Sequence, residues 1–408
     1  MMRSMFSGVS GLRSHQTMMD VVGNNIANVN TAGFKASQVT FAETISQILR
    51  GAGGAGNGRG GTNPIQIGLG VKVASIDGIF TQGASQVTGR NTDLAIQGQG
   101  FFVVSNGAER YYTRAGAFSF DEVGNLVSPG GLMVQGWTAD ATGVVDQNAP
   151  TGAITLPVGQ VIDPIATTQV DVGGNLPADA AIGAVQSSSI LVYDSVGNSH
   201  EVSFTFTKTA SNQWSVTAGI GGTNYTLTPA TLTFDSAGNL SSATPLTFSG
   251  FTPPGAAAMT FAVELAGPSA IVQFGGAATA EALTQDGQAI GFLRDFAIGD
   301  DGTIVGQFSN GETKILAQVA TATFNNPAGL ARVGDSQFGQ TTNSGEPLIG
   351  APGTGNRGLL SAGTVEMSNV ELAREFTNLI IAQRGFQANS RVITTSDEML
   401  AELVNLKR

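Results

Sequence analysis

Residues 369–406 read NVELAREFTNLIIAQRGFQANSRVITTSDEMLAELVNL, and residues 5–29 read MFSGVSGLRSHQTMMDVVGNNIANV. In the first stretch Phe376, Leu379, Gln383, Phe386, Ser390, Ile393, Asp397, Leu400 and Val404 follow one another at alternating steps of three and four. In the second, Met5, Val9, Leu12, Gln16, Met19, Gly23 and Ile26 do the same. Such spacing lays a stripe along one side of a helix and favours a coiled-coil seam. The first proline is Pro64 and the last Pro352, so both ends lack the residue most hostile to a helix interior. Ser368 followed by Glu371 predicts a capping box at the start of the C-terminal helix. From there to Leu406 the helix would run roughly 57 Å at 1.5 Å per residue. Periodicity alone is also met by an ordinary helical hairpin packed on a β-core, and both readings stay open here.

Nearly everything between the ends reads as β-strand. Val71 to Ile76, Leu94 to Ile96, Phe101 to Val104, Ser189 to Tyr193, Glu201 to Phe206, Met259 to Val263 and Lys314 to Val319 are runs of β-branched and aromatic residues. Phe34 to Leu49 reads as a strand or extended arm followed by a helical turn. Gly51 to Gly61 is low complexity and reads as a linker; its Gly51-Ala-Gly53-Gly-Ala-Gly56 matches a dinucleotide fingerprint, but no strand precedes it and no helix follows. Phe120-Asp-Glu-Val-Gly-Asn125, Tyr193-Asp-Ser-Val-Gly-Asn198 and Phe234-Asp-Ser-Ala-Gly-Asn239 repeat one pattern, with a looser relative at Gly299 to Gly302. Each predicts a turn in which Asp accepts backbone amides and Gly takes positive φ.

The expected fold is α+β: terminal helices forming a coiled-coil-like layer, with two mainly antiparallel β domains, the outer inserted in the inner. The expected bounds are 1–30 and 365–408 for the helical assembly domain and 31–70 for a linker or arm. An inner β domain takes 71–144 and 286–364, and an outer one takes 145–285 in one piece.

The 408 residues carry a net charge of −11 on only 12% charged side chains, with no clustered Lys and Arg, which argues against a nucleic-acid partner. No apolar run approaches the length a bilayer needs, so no membrane insertion is expected. Cysteine is absent, which removes disulfides and thiolate metal sites. Met1 to Asp20 contains no apolar h-region, so no cleaved signal peptide is expected. His15 reads as a polar residue at a helix interface and His200 as a strand-surface residue, and neither belongs to a catalytic motif. The chain is therefore read as a non-enzyme with no cofactor, metal or catalytic residues. The middle is rich in Ser, Thr, Gly, Asn and Gln and poor in charge.

Ser10-Gly-Leu12, Val22-Gly-Asn-Asn-Ile-Ala-Asn28 and Thr31-Ala-Gly-Phe-Lys35 resemble the N-terminal signature of the bacterial flagellar rod and hook family. Asp93 to Phe102, Thr113-Arg-Ala-Gly-Ala-Phe118 and Val134-Gln-Gly-Trp137 resemble its first β-domain. Ser368-Asn-Val-Glu-Leu372 and Ile381-Ala-Gln-Arg-Gly-Phe-Gln-Ala-Asn389 resemble its C-terminal helix. The length and the inserted outer domain point to the hook members, with the shorter distal rod members as the alternative; a secreted β-rich adhesin is the rival from another class. The resemblance implies an extracellular subunit of the flagellum, exported by its type III apparatus. It implies a curved helical homopolymer that joins rod to filament and transmits torque as a universal joint. The implied partners are further copies of the chain, the rod, the hook cap and the hook–filament junction proteins. The expected self-assembly interface is Met5, Val9, Leu12, Met19 and Ile26 with Phe376, Leu379, Phe386, Ile393, Leu400 and Val404.

Overall fold

The computed structural model describes residues 2–54, 60–140, 142–156, 159, 161–267 and 270–405. Two long helices close the chain at either end, α1 over Met2–Ala27 and α2 over Leu372–Asn405, and the described residues between them are mainly strand. The chain divides into two compact units. One takes Met1–Pro157, Phe296–Val305 and Ile315–Arg408, the other Val158–Asp295 and Gly306–Lys314. The second unit thus draws on two chain segments where 145–285 was expected in one piece. Three of the boundaries fall inside continuous strands, Gly291–Ile298, Thr303–Phe308 and Thr313–Val319. No Gly- or Pro-rich loop marks them, so composition cannot reveal them.

In the first unit, Phe101–Ser105 is buried along its whole length. Successive side chains of a strand point to opposite faces. Phe102 and Val104 accordingly enter one core with Leu94, Ile96, Phe118 and Leu126, while Phe101 and Val103 enter another with Tyr112, Phe324 and Phe338. Neighbouring strands Arg110–Thr113, Met133–Thr138 and Thr321–Thr323 pair with it antiparallel.

After α1 come four strands, Ser37–Glu43 (β1), Ser46–Arg50 (β2), Ile65–Gly68 (β3) and Val71–Gly78 (β4). They form a two-stranded ribbon in which β1 pairs with β4 from Ser37↔Gly78 to Glu43↔Val71, and β2 with β3 from Ser46↔Gly68 to Arg50↔Ile65. No helical turn follows Phe34, because Val39, Thr40, Thr44, Ile45 and Ile48 favour extended backbone and each strand finds a partner. Gly53 and Thr62 exchange backbone hydrogen bonds of 3.0 and 2.9 Å, continuing the ribbon. Residues 55–59 of the glycine-rich stretch, including Gly56 of the fingerprint match, lie outside the described residues.

The second unit is built around one sheet with strand order Val185–Tyr193, Ser199–Ala210, Gln213–Ile220, Thr223–Thr233, Leu246–Phe251, Met259–Glu264, Gln169–Asn175 and Ile271–Val272. Strict alternation along Ser199–Ala210 sends Val202, Phe204 and Phe206 inward and Ser203, Thr205 and Thr207 outward. Trp214 is buried in the same core, and Phe248 stacks on Phe261 at 4.5 Å between ring centres. Lys208 closes the end of this core, donating to Ala178 O at 2.6 Å and Ala180 O at 2.9 Å.

The three repeated turns share one geometry. Asp121 Oδ1 accepts the amides of Val123 and Asn125, Asp194 Oδ1 those of Val196 and Asn198, and Asp235 Oδ1 those of Ala237 and Asn239. Gly124, Gly197 and Gly238 stand at φ 91°, 86° and 83°, where a Cβ would be strained. Asp140 builds the same turn through Thr142, Gly143 and Val144, a site the sequence reading missed because no aromatic residue precedes it.

Asp194 is fully buried and also accepts from His200 Nε2 at 2.9 Å, which places His200 against this turn and edge-on to Phe251 rather than free on a strand surface. Burial pushes the Asp194 carboxyl up, but hydrogen bonds from His200, Asn198 and Val196 outweigh it and hold the group below the ordinary aspartate value of 3.8. A carboxylate held low stabilises the fold above its unfolded-state pKa, and that contribution is lost as pH falls through the folded-state value. Asp194→Asn keeps the turn's acceptor but removes the titration. With Trp137→Phe as background, so that Trp214 alone reports, unfolding monitored between pH 5 and 2 is predicted to steepen toward acid in the parent. The Asp194→Asn variant should show a flatter profile; identical profiles would contradict this assignment.

Candidate functional site: the terminal helix pair and the clasp at its root

The two helices run antiparallel, and their contact seam is made by small and polar residues. Ser4 Oγ lies 3.5 Å from Ser396 Oγ. A Cβ on Gly8 would sit 3.2 Å from Ile393 Cγ1, one on Gly11 2.6 Å from Asn389 Nδ2, and one on Gly385 against the imidazole of His15. Ser4, Gly8, Gly11 and His15 thus face Ser396, Ile393, Asn389 and Gly385, and the missing side chains let the helices approach closely. His15 also meets Phe41 of β1 edge-on at 5.7 Å.

Of the expected interface residues, only Ile393 appears in these closest contacts. Met5, Leu12, Met19, Ile26, Leu379, Phe386 and Leu400 are half-buried. Val9, Phe376 and Val404 are exposed, at 38%, 51% and 69%. A heptad reading scores apolar side chains and cannot score a glycine, so it found the apolar stripes and missed the seam. Exposed alongside them are Phe6, Ile380, Ile381, Met399 and Leu403, leaving apolar surface on both helices.

At the root of the pair three charged groups are buried together. Lys35 Nζ donates to Glu366 Oε1 at 2.6 Å and to Thr81 O at 2.8 Å. Arg114 Nη1 meets Glu366 Oε2 at 3.1 Å, and its Nη2 donates to Gly98 O at 2.7 Å. Gly83 N adds a bond of 2.8 Å to Glu366 Oε1, and Gly33 N donates 2.7 Å to the Glu366 carbonyl. Side-chain exposure of Lys35, Glu366 and Arg114 is 4% or less. Burial pulls the Lys35 ammonium below its usual value, with the hydrogen bond to Glu366 opposing that pull, and it lowers the Arg114 guanidinium in the same way.

Two carboxamides complete the clasp. Asn25, fully buried near the end of α1, grips β1 at both backbone atoms of Ser37, donating to its carbonyl at 2.8 Å and accepting its amide at 2.9 Å. Asn369 accepts the Ala36 amide at 2.8 Å and donates to Ile79 O at 2.7 Å. Arg332 donates to the Lys35 carbonyl and stacks its guanidinium over Phe34.

The expected capping box does not form: Ser368 Oγ accepts from Val370 N at 3.3 Å, and the helix begins only at Leu372. Asn369 is instead held by the clasp, ahead of the first helical residue. Lys35, Arg114 and Asn369 lie inside the family-like motifs, where nothing local marks their role, and Glu366 carries no local signal at all.

Removing one member of a buried charge cluster costs about 3–5 kcal/mol, because the remaining charges stay buried without a counter-ion. Glu366→Ala strips both cations and is predicted to destabilise the first unit by about that much. Lys35→Met leaves Glu366 with Arg114 and should cost less, about 1–3 kcal/mol. Denaturant unfolding followed through Trp137, with Trp214→Phe as background, measures both. Equal small losses for the two variants would contradict the clasp.

Comparison with known proteins places these features in one group. The flagella basal body rod protein family matches residues 5–35, and the flagellar hook protein FlgE/F/G D1 domain family matches residues 95–175. The flagellar basal body protein FlaE D2 domain family matches residues 167–288, and the flagellar basal body rod FlgEFG protein C-terminal family matches residues 361–406. Flagellar hook protein FlgE of Treponema pallidum is 40% identical, and that of Borreliella burgdorferi 41%, each with all of both chains covered. The FlgE of Salmonella typhimurium is 36% identical over 99% of this chain and 100% of its own. The crystal structure of Helicobacter pylori flagellar hook protein FlgE2 shares the fold, with a TM-score of 0.52 at 15% identity over 70% of this chain and 99% of that one. A chain matched from one terminal helix to the other by full-length hook proteins belongs to the flagellar hook protein FlgE family.

Proposed function

We propose that this structural subunit of the flagellar hook polymerises through the outer faces of its terminal helix pair into a curved tube that joins rod to filament. The observation that carries the reading is the apolar surface left bare once the glycine seam has satisfied the pair: Phe6, Val9, Phe376, Ile380, Met399 and Val404 stand exposed on helices already partnered. Extended exposed apolar surface marks an interaction site. No helix among the described residues is long and apolar enough to cross a membrane. The exposed surface is assigned to other copies of the chain, whose helices carry the same apolar flanks. Identical subunits that meet through two different surfaces build an open helix instead of a closed ring.

Within that assembly the clasp transmits load from helices to β-units, and the tube bends as a universal joint while carrying torque. The two-stranded ribbon, with Ile45, Ile48, Leu49 and Ile65 exposed, adds contacts that set tube stiffness. Rod, hook cap and hook–filament junction proteins are the proposed neighbours, and export through the flagellar type III apparatus without a cleaved signal peptide is the proposed route outward.

Deleting residues 365–408 would remove Glu366 and break the clasp, so substitution is the cleaner test. Phe376→Ser with Ile380→Ser leaves the seam and clasp intact. Negative-stain electron microscopy of concentrated protein should show curved tubes from the parent and none, or at least tenfold fewer, from the double variant. Tubes of equal number from both would contradict the assignment of this surface. Straight tubes from the parent would favour the distal rod reading.

A further inference from the structure

The outer face of α2 carries charge as well as apolar surface. Gly385, Asn389 and Ile393 meet α1 in the seam, and at 3.6 residues per turn Ile380, Arg384, Arg391, Glu398 and Glu402 stand on the opposite side of the helix. All five are exposed. Along this line the charges are segregated by sign. From Phe376 to Ser396 the charged residues are Arg384 and Arg391, and from Asp397 to Asn405 they are Asp397, Glu398 and Glu402. Between Gly8 and His15, the part of α1 that faces Gly385 to Ile393, Arg13 is the one Lys, Arg, Asp or Glu. A locally basic stretch thus precedes an acidic end, in a chain whose net charge is −11.

Nothing within the chain accounts for this arrangement. The side chains of Arg384, Arg391, Glu398 and Glu402 make no ion pair among the described residues. Glu402 stands in the last turn of α2, which has no basic residue, and the helix dipole disfavours an anion there. The two halves of the line do complement each other, so a second α2 of the same sequence offers each half its counter-charge.

We infer that the acidic end of α2 in one copy lies beside Arg384 and Arg391 of α2 in the next, and that this pairing fixes the axial offset at which copies meet. The inference rests on the helix-mediated assembly proposed above and adds a determinant which that reading lacks. Apolar contact is non-directional, so Phe376 and Ile380 hold two helices together without setting how far one is displaced along the other. Parallel helices in register would set Arg against Arg and Glu against Glu, which repel. Displacing one helix by about 16–21 Å, at 1.5 Å per residue, brings Arg384 beside Glu398 and Arg391 beside Glu402. Such a contact joins two different parts of the surface and can repeat from copy to copy, as an open helix requires.

Charge reversal in the full-length protein tests the pairing. Arg384→Glu with Arg391→Glu leaves seam and clasp intact and should cut the number of tubes at low salt at least tenfold, by negative-stain electron microscopy. Adding Glu398→Lys and Glu402→Lys reverses every sign and should restore tubes to within about threefold of the parent. A quadruple variant no better than the Glu pair would overturn the pairing. The chain has no cysteine, so a cysteine pair reports the offset cleanly. Arg391→Cys with Glu402→Cys keeps Arg384 and Glu398, and the two positions lie about 16 Å apart on one helix, too far to bridge within a copy. Mild oxidation should give a ladder of disulfide-linked dimers, trimers and higher multimers. Tubes without a ladder would overturn the offset. Dimers alone, with Thr395→Cys linking to itself, would set the helices antiparallel in a closed pair and overturn the head-to-tail contact. Tubes equal in number from the parent and the Glu pair would overturn the charge pairing and leave helix-mediated assembly standing. Absence of tubes and ladder from every variant and from the parent would overturn both readings.

Discussion

One buried carboxylate organises the first unit. Glu366 receives Lys35, Arg114 and the amide of Gly83, groups 331, 252 and 283 residues away in sequence, and so fixes where the chain enters and leaves the β-core. Asn25 and Asn369 then tie the helix ends to β1 and to Ile79. A well-packed apolar cluster of the same volume could match this arrangement in stability. Apolar packing is non-directional, whereas three charges and two carboxamides are satisfied only in one geometry. For a subunit that passes torque between a helix pair and a β-domain, a fixed root serves better than a merely stable one.

Above the root, the helix pair separates two tasks that a conventional coiled coil would merge. Gly8, Gly11 and Gly385 let the two helices approach closely along the seam. Large apolar residues such as Phe6, Phe376, Ile380 and Met399 are thereby left exposed on the helices. In the second unit, strict alternation along Ser199–Ala210 keeps Val202, Phe204 and Phe206 inside and presents hydroxyls outside.

How far the sequence revealed this depended on how local each cause is. The Asp-x-x-Gly-Asn turns were legible to the residue, because every group in the turn lies within a few positions of the aspartate. Both helices were legible from periodicity to within a few residues at each end. Their seam was not, because Gly11 and Asn389 carry no hydrophobic signal and their meeting depends on the antiparallel offset. The clasp was invisible as chemistry: Glu366 stands alone in Thr-Val-Glu-Met, and its charged partners lie 331 and 252 residues away. Domain boundaries inside continuous strands escaped for a related reason, since a strand has the same alternation on both sides of the boundary.

The outer faces of the α1–α2 pair, rooted in the Glu366 clasp, are the proposed assembly surface. Electron cryomicroscopy of tubes grown from the full-length chain tests it most directly. Phe376, Ile380 and Met399 should pack against helices of neighbouring copies, with Lys35, Glu366 and Arg114 still joined in every subunit. Tubes whose helix pairs leave those residues facing solvent, or whose subunits meet only through their β-units, would contradict it.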